Sequence, residues 1–119
     1  MDGYHASVAT AFAQEAIRIR DTGHLSDVLI ARATGAARST VRGWFALRNA
    51  PTGARADRVA ELSAVVERLA RVMDADYIPV WLSKPVEALG DEKPIELLRR
   101  GEYQPVMQLV SSLEDPGAV

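Results

Sequence analysis

The sequence predicts an all-α protein: a helical bundle, then a long helix, then a small helical C-terminal domain. Three observations carry this. Ala, Leu, Arg and Glu dominate the chain and favour helix, whereas alternation of Val, Ile and Thr is scarce. Apolar residues recur at helical spacing in one segment after another. Pro, Gly and Asn fall between those segments and punctuate them. With 119 residues, nearly half of them apolar, the chain has the size of one unit, or of two very small ones packed together. Either can bury a core.

The first helix is expected over residues 6–20, where Val8, Ala11, Phe12, Ala16 and Ile19 share a face. Gly23 is placed as the left-handed residue at or just past its end. The Ser26 hydroxyl is suited to cap a second helix over 27–33, which Gly35 ends. A third helix spans 38–47, and the cluster Asn49 to Gly53 forms a turn. The fourth and longest helix covers 54–73. Its apolar positions Val59, Leu62, Val66, Leu69 and Met73 are spaced 3, 4, 3, 4, an a/d pattern of about two heptads. That pattern fits a core-facing stripe, and it fits a seam between two chains. On the second reading the protein is a homodimer.

Residues 74–85 read as a connector, because Pro79 and Pro85 forbid a continuous helix. A short helix over 85–89, with Ser83 placed to cap it, ends at Gly90. Pro94 opens the next helix, where its missing N–H costs nothing. Arg99 and Arg100 fall in the last turn, favoured by the helix dipole, and Gly101 is the left-handed stop. The last helix spans 102–113, with Tyr103, Val106, Val110 and Leu113 along one stripe. The tail 114–119 cannot be helical past Pro116. The expected organisation is thus a first domain over 1–53, a connecting and dimerising helix over 54–76, and a last domain over 77–119.

Several function classes drop out. The chain has no cysteine, so disulfides and thiolate metal sites are excluded. His5 and His24 are too few and too scattered for a zinc site, and no cofactor is expected. No apolar run reaches the ~18 residues that span a bilayer, and the first residues lack the pattern of a secretory signal. A cytoplasmic protein without membrane contact is expected. Catalysis is not expected either. Glu92 and Glu96 are four apart, but they read as a solvated helix start. Ser39-Thr40 and Ser111-Ser112 have no neighbouring His.

Charge separates the two halves. Residues 1–56 carry seven arginines against four acids, net +3, while residues 57–119 carry twelve acids against seven bases, net −5. A basic front and an acidic back suggest different partners. In the front, Ala31, Gly35 and Val41 have the A-x3-G-x5-V spacing of a helix-turn-helix. Ala31 is small where the second helix crosses, Gly35 supplies a positive φ, and Val41 with Trp44 buries against the first helix of the pair. Arg38, Ser39, Arg42 and Gly43 are left on the opposite face. In this motif the second helix enters the major groove. Arg38 and Arg42 are suited to guanine, Ser39 to a base edge or phosphate, and Gly43 to close approach. Arg48 and Arg55 are placed for phosphates. Ala37 stands where a capping Ser or Thr is usual. The modest front charge implies weak binding by a single copy, so promoter DNA is expected to be bound by a dimer.

The back half reads as short helices broken by Pro and Gly, whose apolar side chains a unit so small cannot fully bury; the same residues also fit a small satellite core on the fourth helix, to which Trp81 and Leu97 are the best suited. Residues 81–113, WLSKPVEALGDEKPIELLRRGEYQPVMQLVSSL, carry a Trp, a Pro-bearing short helix ending in Leu-Gly, then Pro-Ile-Glu-Leu-Leu, a Gly and Val-x-x-Leu. This stretch resembles the C-terminal toxin-binding domain of the Xre/MbcA/ParS-like antitoxins, and the front helix-turn-helix matches their N-terminal part. The resemblance implies a RES-domain toxin that consumes NAD as partner, in a hetero-oligomer, with the operon autorepressed. Carried over residue by residue, it implies that Trp81, Leu89, Leu97, Leu98 and Tyr103 build the domain or its contact face. It also implies that the tail, with Glu114, Asp115 and Val119, approaches the toxin. The alternative is a stand-alone helix-turn-helix regulator with a dimerising or sensing C-terminal domain.

Overall fold

Ser26, Gly35, Pro94 and Gly101 mark helix ends in the computed structural model, which describes residues 3–117 and their side chains from Thr10 onward. Among the described residues seven α-helices follow one another: α1 Gly3–Gly23, α2 Asp27–Thr34, α3 Arg38–Phe45, α4 Gly53–Leu69, α5 Ile78–Ser83, α6 Pro94–Arg99 and α7 Tyr103–Glu114. Short 3-10 turns occupy Ala75–Tyr77 and Glu87–Leu89. The all-α class is as expected. None of the described helices is long and apolar enough to cross a membrane.

Local chemistry accounts for most boundaries. The Ser26 hydroxyl accepts from the Leu29 N–H at 3.1 Å and caps α2. Gly35, at φ +76°, returns its N–H to the Ala31 carbonyl at 2.9 Å and closes the helix. Gly101 does the same service after α6, at φ +81°.

Four boundaries differ from expectation. Gly23 is the last residue of α1, and His24 takes the left-handed conformation at φ 53°, which His tolerates better than most residues. What Gly23 supplies is closeness, because a Cβ there would lie 2.8 Å from Val66 Cγ1 of α4. The stretch expected as a connector contains α5, with Pro79 in its first turn, where no intrahelical donor is lost. The helix expected over 85–89 is instead a tight loop. The Val86 N–H donates to the Glu92 carbonyl at 3.0 Å, and Gly90 and Asp91 turn the chain at φ 69° and 63°. Ser83 ends α5 and caps nothing. Lastly, α4 stops at Leu69, short of Met73.

Helix α4 is the centre of the packing. It lies against α1, α2, α6 and α7, while α2 also packs on α6. A single apolar cluster runs from Ala13 in α1 to Val110 in α7. Residues of 1–53, 54–76 and 77–119 all contribute to it. Ile78, Leu82, Ile95, Leu97, Leu98 and Val106 are buried, so the back half hides much of its apolar set in this shared core, while Tyr77, Val80 and Leu113 stay exposed. Val59, Leu62, Val66 and Leu69 are 0–1% exposed within the one chain. That corrects the seam reading of these four: they have no surface left for a second chain, and the 3-4-3-4 stripe faces α4's own neighbours. Met73 is half-buried beyond the helix end.

Candidate functional site

The α2–α3 pair is held from inside. Val41 and Trp44 of α3 are 0% and 1% exposed. Buried Thr34 donates its hydroxyl to the Ile30 carbonyl at 2.7 Å and accepts from the Ala36 N–H at 3.4 Å, which fixes the turn that Gly35 permits. Ala31 is nearly covered, as its small size requires. Ala37 precedes α3 without a side-chain cap.

With Val41 and Trp44 inward, Arg38, Ser39 and Arg42 stand on the exposed face. Arg48, after α3, and Arg55, in the first turn of α4, are exposed as well. Gly43 does not join that face. It is buried, and a Cβ on it would lie 2.0 Å from Asn49 Oδ1. Its bareness accommodates the Asn49 side chain, which corrects the reading of Gly43 as a point of approach for DNA.

One member of this surface escaped the sequence reading. Asp27, the first residue of α2, accepts from Arg42 Nε at 2.7 Å and from Arg38 Nη2 at 3.4 Å. The Arg42 hydrogen bond, helped by the charges of Arg38 and Arg42, holds the Asp27 carboxyl below the usual carboxylate range against partial desolvation. A separation of 11 and 15 residues across a turn follows no helical period, so only the folded pair brings these groups together.

The back-half residues fall into two sets. Leu97 and Leu98 are 5% and 2% exposed. They build the core and present no contact face, which corrects that part of the expectation. Trp81 and Tyr103 are half-buried against the core. Glu114 is engaged within the chain, because Arg68 Nε donates to both its oxygens at 3.0 and 3.1 Å. This pairing lowers the Glu114 pKa. Asp115 is exposed, and Val119 lies outside the described residues. Sequence reasoning missed Tyr77 and Val80, which are 43% and 40% exposed. Tyr77 precedes α5 and Val80 lies within it, the helix that was read as connector. Lys84 Nζ sits 5.3 Å from the Tyr77 ring centre. Glu92 and Glu96 are not partners of each other: Arg100 holds Glu92 at 2.8 Å, and Arg32 of α2 holds Glu96.

Exposed arginines on one helix pair, with half-buried aromatics and a clamped carboxylate on the later helices, define a small all-α protein whose surfaces suit binding. No family model matches the chain. It is 34% identical over 76 residues to the mycobacterial cidal antitoxin MbcA of Mycobacterium tuberculosis and, equally, of Mycobacterium bovis. The match covers 64% of this chain and 67% of the relative. A chain in the crystal structure of the M. tuberculosis MbcT–MbcA toxin–antitoxin complex has the same fold, with a TM-score of 0.79 at 28% identity. The superposition covers 90% of this chain and 96% of that one. The chain belongs to the MbcA antitoxin family. Kinship to an antitoxin points to a protein that binds rather than one that catalyses.

Proposed function

We propose that this chain is an antitoxin that binds and blocks a protein toxin of the RES-domain, NAD-consuming kind, and that it represses its own operon through α3. The observation that carries the toxin half is the kinship to MbcA, over most of a chain whose fold also occurs in a toxin–antitoxin complex. The NAD-consuming partner follows from the resemblance of residues 81–113. Trp81, Tyr103 and Asp115 are the accessible contacts on this reading. Glu114 orders the end of α7 through Arg68. A carboxylate-bearing tail in the toxin's cleft would compete for groups that hold NAD phosphates, since Arg–carboxylate pairing is strong and directional.

The operator half is supported by Arg38, Ser39 and Arg42 on the exposed face of α3, with Arg48 and Arg55 beside it. Arginine forks match guanine O6 and N7, and outlying arginines match phosphates.

Co-expression with the product of the adjacent gene, followed by pull-down and an NAD-consumption assay, tests the toxin half. The full chain should capture the partner and silence it. Deleting residues 115–119 removes little apolar area, so capture should persist while NAD consumption returns. If the shortened chain still silences the partner, the blocking element lies within 94–113. Failure to capture any product of the adjacent gene overturns the toxin reading.

A further inference from the structure

Where the end of α2 meets α6, an open recess of about 260 Å³ is lined by Ala31, Arg32, Gly35, Ala36, Arg38 and Arg99. Its floor is made of residues with no side chain beyond Cβ. Its walls include three arginine side chains from three different helices, 52–56% exposed. Such a convergence of like charges raises energy unless anions answer it.

The chain answers it only in part. Glu96 accepts from Arg32 Nε and stands 3.9 Å from Arg99. Asp27 gives its good bond, 2.7 Å, to Arg42 outside the recess and only a long one, 3.4 Å, to Arg38. Lys93 adds another positive charge near Glu96. Among the described residues, no hydrogen bond engages the terminal nitrogens of Arg32 or Arg99. A planar fork of that kind matches a phosphate oxygen pair better than a lone ammonium does.

We propose that this recess takes a backbone phosphate of DNA, which makes Arg99 of α6 a DNA-contact residue alongside Arg32 and Arg38. The inference rests on the operator reading of α3, whose first residue, Arg38, is shared between the recess and the exposed face. It goes beyond that reading in bringing the C-terminal segment onto the duplex. A phosphate contact fixes the register of the reading helix without carrying sequence information.

The test is fluorescence anisotropy of the full chain with its own promoter duplex and with a scrambled duplex, across 50 to 200 mM salt (an assay window of the order used for phosphate counting). Arg99→Ala should weaken both duplexes by the same factor and reduce the salt slope by about one. Its side chain is exposed and its contact to Glu96 is long, so circular dichroism should be unchanged. Arg71→Ala removes the same charge from a site away from the recess, where Arg71 pairs with Glu67 at 3.2 Å, and should leave the slope as it is. An unaltered slope in R99A, with binding lost in the Arg38→Ala/Arg42→Ala double variant, overturns the recess and leaves the operator reading standing. A double variant that binds as well as the wild type overturns the operator reading itself. Pyrophosphate titrated into the DNA-free chain separates the sources: binding tighter than that of the scrambled duplex would assign the recess to a free anion and overturn the DNA assignment.

Discussion

Leu62→Ala separates a core stripe from an interchain seam. Leu62 lies near the middle of α4 and is 0% exposed in the single chain. Cutting it to Ala removes three buried carbons and leaves a cavity that α1, α2, α6 and α7, the helices around α4, close only in part. Such truncations cost about 2.7–5 kcal/mol, and about 3 kcal/mol is expected here. A domain of this size holds about 5–15 kcal/mol in all, so the variant should fold but with much of its margin gone. With a urea slope of about 1.5 kcal/mol/M, the midpoint falls by about 2 M. The assay is urea unfolding followed by helical circular dichroism at two protein concentrations tenfold apart. If the stripe is core, the loss is the same at both concentrations. Were it a seam, dimer dissociation would enter the unfolding equilibrium, and tenfold dilution alone would change the apparent stability by about 1.4 kcal/mol. A loss under about 1 kcal/mol, or one confined to the dilute sample, would refute the reasoning.

Two glycines should respond differently to Ala. At Gly23 the new methyl meets Val66, which is packed on all sides, and overpacking of about 1–3 kcal/mol should appear in the melt. At Gly43 it meets only the end of the exposed Asn49 side chain. Rotation of Asn49 and the gain of up to about 1 kcal/mol in helix propensity should leave both stability and promoter affinity close to wild type. Asp27→Asn should release Arg38 and Arg42, raise affinity for scrambled DNA and narrow the preference for the promoter; an unchanged ratio in anisotropy would show that Asp27 does not orient them. The Glu114 carboxyl is lowered by Arg68, so its contribution is complete above the ordinary glutamate range and disappears as pH falls through the lowered value. Glu114→Gln should therefore remove part of the acid sensitivity of unfolding seen in the wild type below that range.

What the sequence revealed was mostly local. Ser26, Gly35, Pro94 and Gly101 each act through backbone geometry within a few residues, and each sits where its chemistry says. The inward set of α3 followed from the three-residue step between Val41 and Trp44. The harder cases depend on what lies opposite. A 3-4-3-4 stripe has the same period whether it faces its own chain or another. Pro79 forbids a helix interior but permits a first turn, and nothing nearby told the two apart. Leu97 and Leu98 fitted a contact face as well as a satellite core on the fourth helix, because the sequence does not show how far the unit 77–119 shares its core with α4. Asp27 with its arginines, and Arg32 with Glu96, are joined only by tertiary contact.

The shared core also decides what a partial loss of the chain would mean. Val106 and Val110 of α7 are wholly enclosed, and α7 rests on α4 and α6. A protease that pulls on the tail must first break the Arg68–Glu114 clamp. It then draws those two valines out of the same cluster that seats Val41 and Trp44. Helix α3, which carries the arginine face, packs on α1 and α2, whose buried residues belong to that cluster. Destruction that starts at the C-terminal end should therefore loosen the core on which α3 rests as well, so that the two halves lose support together.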